Sequence, residues 1–178
     1  MYINYEELIK ENNLPAKGSK VVVAMSGGVD SSVTAVLLHE AGYKVIGVTM
    51  QLYQSSKKED SKTCCSGIDI ADARKVSQKF GFKHFILDYK SEFKKSVISE
   101  FVESYLEGET PIPCIRCNQT VKFTDLIDFT RSLGAEVLAT GHYVRRVENK
   151  KETAIYQAKD DTKDQSYFLF STTQEQLK

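Results

Sequence analysis

The feature that most limits how this chain can fold is a recurring unit, a short β-branched run followed by a helix-period segment that stops at glycine. Lys20-Val-Val-Val-Ala-Met25 reads as a buried strand, and Val33, Val36, Leu37 and Ala41 form a helical stripe that ends at Gly42. Val45 to Met50 is a second strand. Ile70, Ala73, Val76 and Phe80 mark a helix stopped by Gly81, and His84 to Leu87 follows as a strand. Phe93, Val97, Phe101 and Tyr105 stripe a longer helix ending near Gly108. Phe123, Leu126, Ile127, Thr130 and Leu133 stripe another, halted by Gly134 before a strand over Glu136 to Thr140. Helices that end at glycine and alternate with apolar strands predict a parallel sheet covered on both faces, a doubly wound α/β domain.

Two stretches break the rhythm. Gln54 to Thr63 is polar throughout and reads as a mobile loop. Gly108 to Cys117 holds two of the three prolines and reads as a stiff, extended connection. Beyond Gly141, Tyr143 to Val147 and Thr153 to Gln157 read as a hairpin or paired edge strands. Thr172 and Glu175 have the spacing of a capping box, but the helix they would open is only about one turn, too short to sustain itself. The natural protein is therefore expected to continue past Lys178.

With 178 residues, 41% of them hydrophobic and 27% charged, the chain suits one domain, preceded by an N-terminal extension over residues 1–18. Its formal net charge is zero, so no global field draws it to nucleic acid or an anionic membrane. Val21 to Met25 and Val33 to Leu38 are too short to span a bilayer, and the N-terminus lacks the basic and apolar regions of a signal peptide. Four cysteines in such a chain point to chemistry or metal before structural disulfides, and to the cytoplasm.

Ala24-Met25-Ser26-Gly27-Gly28-Val29-Asp30-Ser31-Ser32 lies between the first strand and the first helix. Ligands of open parallel sheets bind at the carboxyl ends of strands, so a phosphate belongs there. Gly27 and Gly28 let the backbone approach an anion and turn its N–H groups inward, and the helix N-terminus adds partial positive charge. Ser26, Ser31 and Ser32 can donate hydroxyl hydrogen bonds to phosphate oxygens. Asp30 would repel phosphate, which leaves it to cap the helix or to hold a bridging magnesium ion. With no lysine between Met25 and Tyr43, this is not the Gly-Lys-Ser/Thr nucleotide loop.

Cys117 precedes the Phe123–Leu133 stripe and adjoins Arg116. A nearby helix N-terminus and a neighbouring cation would favour the thiolate, and Pro111 and Pro113 would restrict the approach. Cys114-x-x-Cys117 is equally half of a zinc or iron–sulfur site to which Cys64 or Cys65 could contribute, although no His/Cys set completes a closed zinc shell. Spacing alone leaves nucleophile and metal ligand open. Asp69 and Asp88 are further carboxylates that could join a magnesium site. His39, His84 and the pair Lys57-Lys58 carry no functional signal.

Ser-Gly-Gly-x-Asp-Ser after a strand resembles the PP-loop of N-type ATP pyrophosphatases, which have an adenine-nucleotide alpha-hydrolase-like fold. Taken with Thr110-Pro-x-Pro-x-x-x-Cys-Asn118, Ala139-Thr-Gly-His-Tyr143 and Lys163-Asp-Gln-Ser-Tyr167, the chain resembles the tRNA-specific 2-thiouridylase family through nearly its whole length. That resemblance implies a cytoplasmic transferase that binds RNA, forms a disulfide bond, and uses ATP with magnesium to adenylate the C2 oxygen of the wobble uridine. Sulfur would come as a persulfide from an upstream carrier protein. It makes Cys117 the nucleophile and places Ala24 to Ser31, Met50 and Gly141 at the nucleotide. Ile112, Pro113 and Cys114, with His142, Lys163, Asp164 and Gln165, would face the tRNA and its target base. Ile112 stands where the family often has asparagine. The family's second catalytic cysteine and its later tRNA-binding domains would lie beyond this chain. An iron–sulfur thiolase of the same fold and a nucleotide-binding module without turnover are the alternatives.

Overall fold

The computed structural model describes residues 5, 14–53, 67–149 and 152–178. The Gln54–Thr63 stretch, Cys64, Cys65 and most of the N-terminal extension lie outside these residues. Four strands form a parallel sheet in the order β3-β2-β1-β4: β1 (Lys20–Ala24), β2 (Lys44–Gln51), β3 (Lys83–Asp88) and β4 (Val137–Ala139). The predicted doubly wound α/β architecture is what forms.

Alternation along β1 divides the core in two. Val21 and Val23 pack with Ala35, Ala41, Val45 and Ala73 beneath α1 (Val29–Glu40) and α2 (Gly67–Phe80). Val22 points to the other face, among Val48, Met50, Phe93, Cys117, Val121 and Leu126. Strands buried on both faces need continuous apolar runs, which is why Val21-Val22-Val23 suffices here. Tertiary fit overrides the sequence stripe on α1. Val33 stays half exposed, and the small residues Ser31 and Ala35 face the sheet, letting the helix lie close to it.

The second face differs in detail from the expectation. α3 (Lys90–Phe93) runs through a π-helical segment, Lys94–Ile98, into α4 (Ser99–Leu106). The proline-rich connection is not extended up to Cys117. Helix α5 (Pro113–Cys117) begins at Pro113, whose missing N–H and fixed φ suit the first helical position. It continues as a π-helical segment, Asn118–Asp125, into α6 (Leu126–Ser132).

The hairpin forms as β5 (Val144–Glu148) against β6 (Thr153–Gln157). The final helix, α7 (Gln174–Leu177), is capped one residue later than predicted, by Thr173 with Gln176. Tertiary bonds hold this single turn. Gln176 Nε2 donates to the Phe123 carbonyl at 3.0 Å, and Gln174 exchanges hydrogen bonds with the Thr153 backbone at 3.1 and 2.7 Å.

Candidate functional site

Strand order 3-2-1-4 places the reversal of winding between β1 and β4, the position at which open α/β sheets take their ligands. The segments following these two strands meet there. A Cβ on Gly141 would lie 2.7 Å from the Ser31 backbone N, so only glycine lets the β4 exit touch the start of α1. Gly27 is held as tightly from another side, with φ +85° and an added Cβ 2.1 Å from the Asp69 carbonyl oxygen of α2.

Within the loop, serines shape the backbone. Ser31 Oγ is buried, accepts from the Ser26 N–H at 3.1 Å and lies 3.3 Å from the Gly28 carbonyl, to which it donates. Ser32 Oγ donates to the same carbonyl at 2.8 Å. Ser26 is the exposed serine of the three. Gly28 is the N-cap and supplies no side chain. Among the described residues, the N–H groups of Gly27, Val29, Asp30 and Ser31 have no acceptor. Unpaired N–H groups at the start of a twelve-residue helix make a site for an anion.

Asp30 does not cap the helix. Its Oδ1 accepts the Tyr143 hydroxyl at 2.8 Å, and that bond holds the phenol pKa above its ordinary value. Asp88 is drawn away to Lys90 at 3.0 Å, and its carboxyl is held below the usual range. Beneath the loop, Thr49 Oγ1 donates to the Met25 carbonyl at 2.8 Å. Its one proton is thereby used, so His84 Nε2, also 2.8 Å from Thr49 Oγ1, is the donor in that second bond. Burial, then Arg74, lowers the His84 pKa. Sequence reasoning gave neither Tyr143 nor the Thr49–His84 pair a role. Only a polar Thr inside an apolar strand hinted at the latter.

Cys117 is 7% exposed and packs in the same core as Met50, whereas Cys114 is exposed. The thiol sits on the fifth residue of α5 rather than at its N-terminus, and Arg116 is ion-paired with Glu100. The thiolate-favouring surroundings read from sequence are therefore not realised as expected: the helix starts earlier and the cation has another partner. Among the described residues no disulfide forms. Next to Cys117, the buried Asn118 donates from Nδ2 to the Phe168 carbonyl at 3.0 Å, tying α5 to the turn Ser166–Leu169. Ile112 is 38% exposed at the N-cap of α5, beside Pro113.

Lys163, Asp164 and Gln165 form a turn against the β4 exit. Gln165 exchanges hydrogen bonds with Tyr143, receiving at Oε1 from its N–H at 3.1 Å and donating to its carbonyl at 3.0 Å. Lys163 Nζ lies 5.6 Å from the Tyr143 ring centroid. Asp164 does not project outward. It accepts from the N–H groups of Ala158 and Ser166, and the Ser166 hydroxyl leads the bonds that lower its pKa.

His142 Nδ1 is 2.8 Å from Thr140 Oγ1, and burial, with Lys122 second, pushes the imidazole pKa down to about 4. It is neutral at pH 7. Unfolded imidazole titrates near 6.5, so its contribution to stability is complete above that pH and is lost as pH falls toward 4. The loss should approach about 3 kcal/mol. His84 acts in the same direction. Asp125, whose carboxyl is raised by burial and then by Asp128 and Glu92, works oppositely just above pH 3.8. Urea unfolding at neutral pH and near the lower limit should show that slope, and His142→Asn should remove most of it. An unchanged slope would assign the loss elsewhere.

An open parallel sheet with acceptorless N–H groups in the loop at its switch point defines a doubly wound α/β domain. The chain belongs to the family described as "tRNA methyl transferase HUP domain", matched over residues 19–178. It is 56% identical over 176 residues to "tRNA-specific 2-thiouridylase MnmA" of Anaplasma marginale (strain St. Maries), covering 99% of this chain and 45% of that one. The protein of the same name from Wolbachia pipientis wMel is 59% identical over 162 residues, covering 90% and 44%. The chain thus spans a little under half the length of these relatives. Among solved structures, an NH3-dependent NAD synthetase from Campylobacter jejuni aligns at TM-score 0.48 and 19% identity, over 75% of this chain and 50% of that one. Among the described residues no helix is long and apolar enough to cross a membrane.

Proposed function

We propose that this chain is the ATP-binding part of an enzyme that replaces the C2 oxygen of the tRNA wobble uridine with sulfur. The observation that carries this reading is the Ser26–Ser31 loop, with its acceptorless N–H groups at the switch point and its likeness to 2-thiouridylases. The donor set fits ATP. Backbone amides of Gly27 to Ser31 and the exposed Ser26 hydroxyl suit phosphate oxygens, with Met50 and Gly141 at the margins of the nucleotide. No group of three metal-binding side chains occurs among the described residues. A magnesium ion here would be held by the phosphates, with Asp30 as the protein's carboxylate, as suits an ion that keeps most of its water.

A uridine carbonyl is a poor leaving group, and transferring AMP to O2 with release of pyrophosphate makes it a good one. Cys117 then serves sulfur chemistry. The outer sulfur of a persulfide delivered by a carrier protein bonds to C2 as AMP departs with the old oxygen. The Cys117 thiolate then attacks the inner sulfur, so that the S–S bond breaks, the 2-thiouridine leaves and a disulfide to Cys117 forms, which a cellular thiol reductant reopens. The helical turn Ile112–Cys114, His142 and the Lys163–Gln165 turn are the surfaces assigned to the base and its tRNA, in a cytoplasmic setting. The inward bonding of Asp164 makes it a support for that turn, with Lys163 and Gln165 as the contacts.

Calorimetry of this chain with ATP, with and without magnesium, tests the nucleotide half of the proposal. Asp30→Asn is expected to weaken magnesium-dependent binding by roughly tenfold and to spare binding of ATP alone. Equal affinities for the two chains with magnesium present would leave Asp30 without a metal role.

A further inference from the structure

Tyr143 touches three parts of the candidate site at once. Its hydroxyl donates to Asp30 Oδ1 at 2.8 Å, on the first turn of α1. Its backbone forms the reciprocal pair with Gln165, at 3.1 and 3.0 Å. Its ring lies under the Lys163 ammonium at 5.6 Å. The contact of Gly141 with the Ser31 backbone fixes the chain two residues earlier, so the phenol has little freedom in how it meets Asp30. Asp30 is also the carboxylate that the loop offers to a cation, and one of its oxygens is already taken by Tyr143.

We propose that Tyr143 is a positioning residue that latches the ATP loop to the Lys163–Gln165 turn, and that magnesium-bound nucleotide releases the latch by competing for Asp30. This rests on the nucleotide reading above. A carboxylate that turns toward a divalent cation strains or gives up its bond to a phenol, because the cation is the stronger partner for the same oxygen. The phenol then loses its anchor. The Gln165 pairing and the Lys163 position, both built on Tyr143, loosen with it. Occupancy of the nucleotide loop is thereby communicated to the turn assigned to RNA through contiguous contacts, each of them a named bond. Linkage requires the reverse as well: a ligand that holds Lys163 and Gln165 in the latched position weakens magnesium–nucleotide binding.

Tyr143→Phe removes the hydroxyl while keeping the ring and the backbone pair. Titration calorimetry of this chain should find magnesium–ATP bound about fivefold more tightly by the variant, since no bond to Asp30 has to be given up. ATP without magnesium should bind both chains equally. A purely structural role would instead weaken both or change neither. Hydrogen exchange needs no variant: the Gln165 amide, which donates to the Tyr143 carbonyl, should exchange faster when magnesium–ATP is added and should not respond to ATP alone. Wild-type binding with identical magnesium dependence in Tyr143→Phe and an unresponsive Gln165 amide would overturn the latch and leave the nucleotide site intact. Failure of the wild-type chain to bind ATP at all would overturn both.

Discussion

Gly27→Ala is expected to destabilise the chain by about 3 kcal/mol and to reduce ATP affinity by at least roughly tenfold. Two costs add at this position. At φ +85° an L-residue is strained, and the new methyl would sit 2.1 Å from the Asp69 carbonyl oxygen. That oxygen belongs to the backbone in the first turn of α2, so it cannot swing aside as a flexible side chain would. The loop must move, and with it the Gly27 to Ser31 amides that the phosphate would meet. Gly81→Ala separates the two costs. It has a similar φ of +79° but open space around it, so it should lose only about 1 kcal/mol and bind ATP normally. Urea titration and calorimetry of the two variants decide the matter. Equal losses would mean that the contact with α2 is soft and the loop adaptable.

Cys117→Ser in the whole protein should abolish formation of 2-thiolated uridine and change ATP binding less than about twofold, because serine keeps the shape and lacks the sulfur chemistry. Cys114→Ser should retain product. Loss of product with both variants would favour a cysteine-ligated cluster, which needs Cys114 and Cys117 alike, over a single nucleophile. Burial adds a kinetic corollary. At 7% exposure, Cys117 should be alkylated far more slowly than the exposed Cys114 in the folded chain. To reach a base it must first leave the core it shares with Met50 and Phe93. The adjoining π-helical segment, Asn118–Asp125, is an element of the kind that often marks such functional irregularity.

What the sequence made legible was governed by local chemistry. Buried strands, glycine-stopped helices and the loop after β1 follow from short-range patterns, and each formed within a few residues of its expected bounds except the helix read from Phe123, which starts at Pro113. The parallel sheet followed from their alternation. The misreadings arose where distant contacts decide. Val33 looked like a core residue, but Ser31 and Ala35 take the sheet face because close packing there favours small side chains. Prolines 111 and 113 read as extended, whereas Pro113 opens a helix. Arg116 was matched to Cys117 by adjacency, yet Glu100 claims it from α4. Tyr143 stands inside a motif that was noticed, but its link to Asp30 spans 113 positions, which no local pattern reports. The motifs were readable in order along the chain; their mutual contacts had to be observed.

The most direct test of the central claim is an amide-resolved NMR titration of this chain with ATP and magnesium. Saturable 1:1 shifts concentrated at Gly27, Gly28, Val29, Asp30 and Ser31, with smaller ones at Gly141, are predicted. Saturation without movement of those amides, or shifts centred on another part of the sheet, would contradict it.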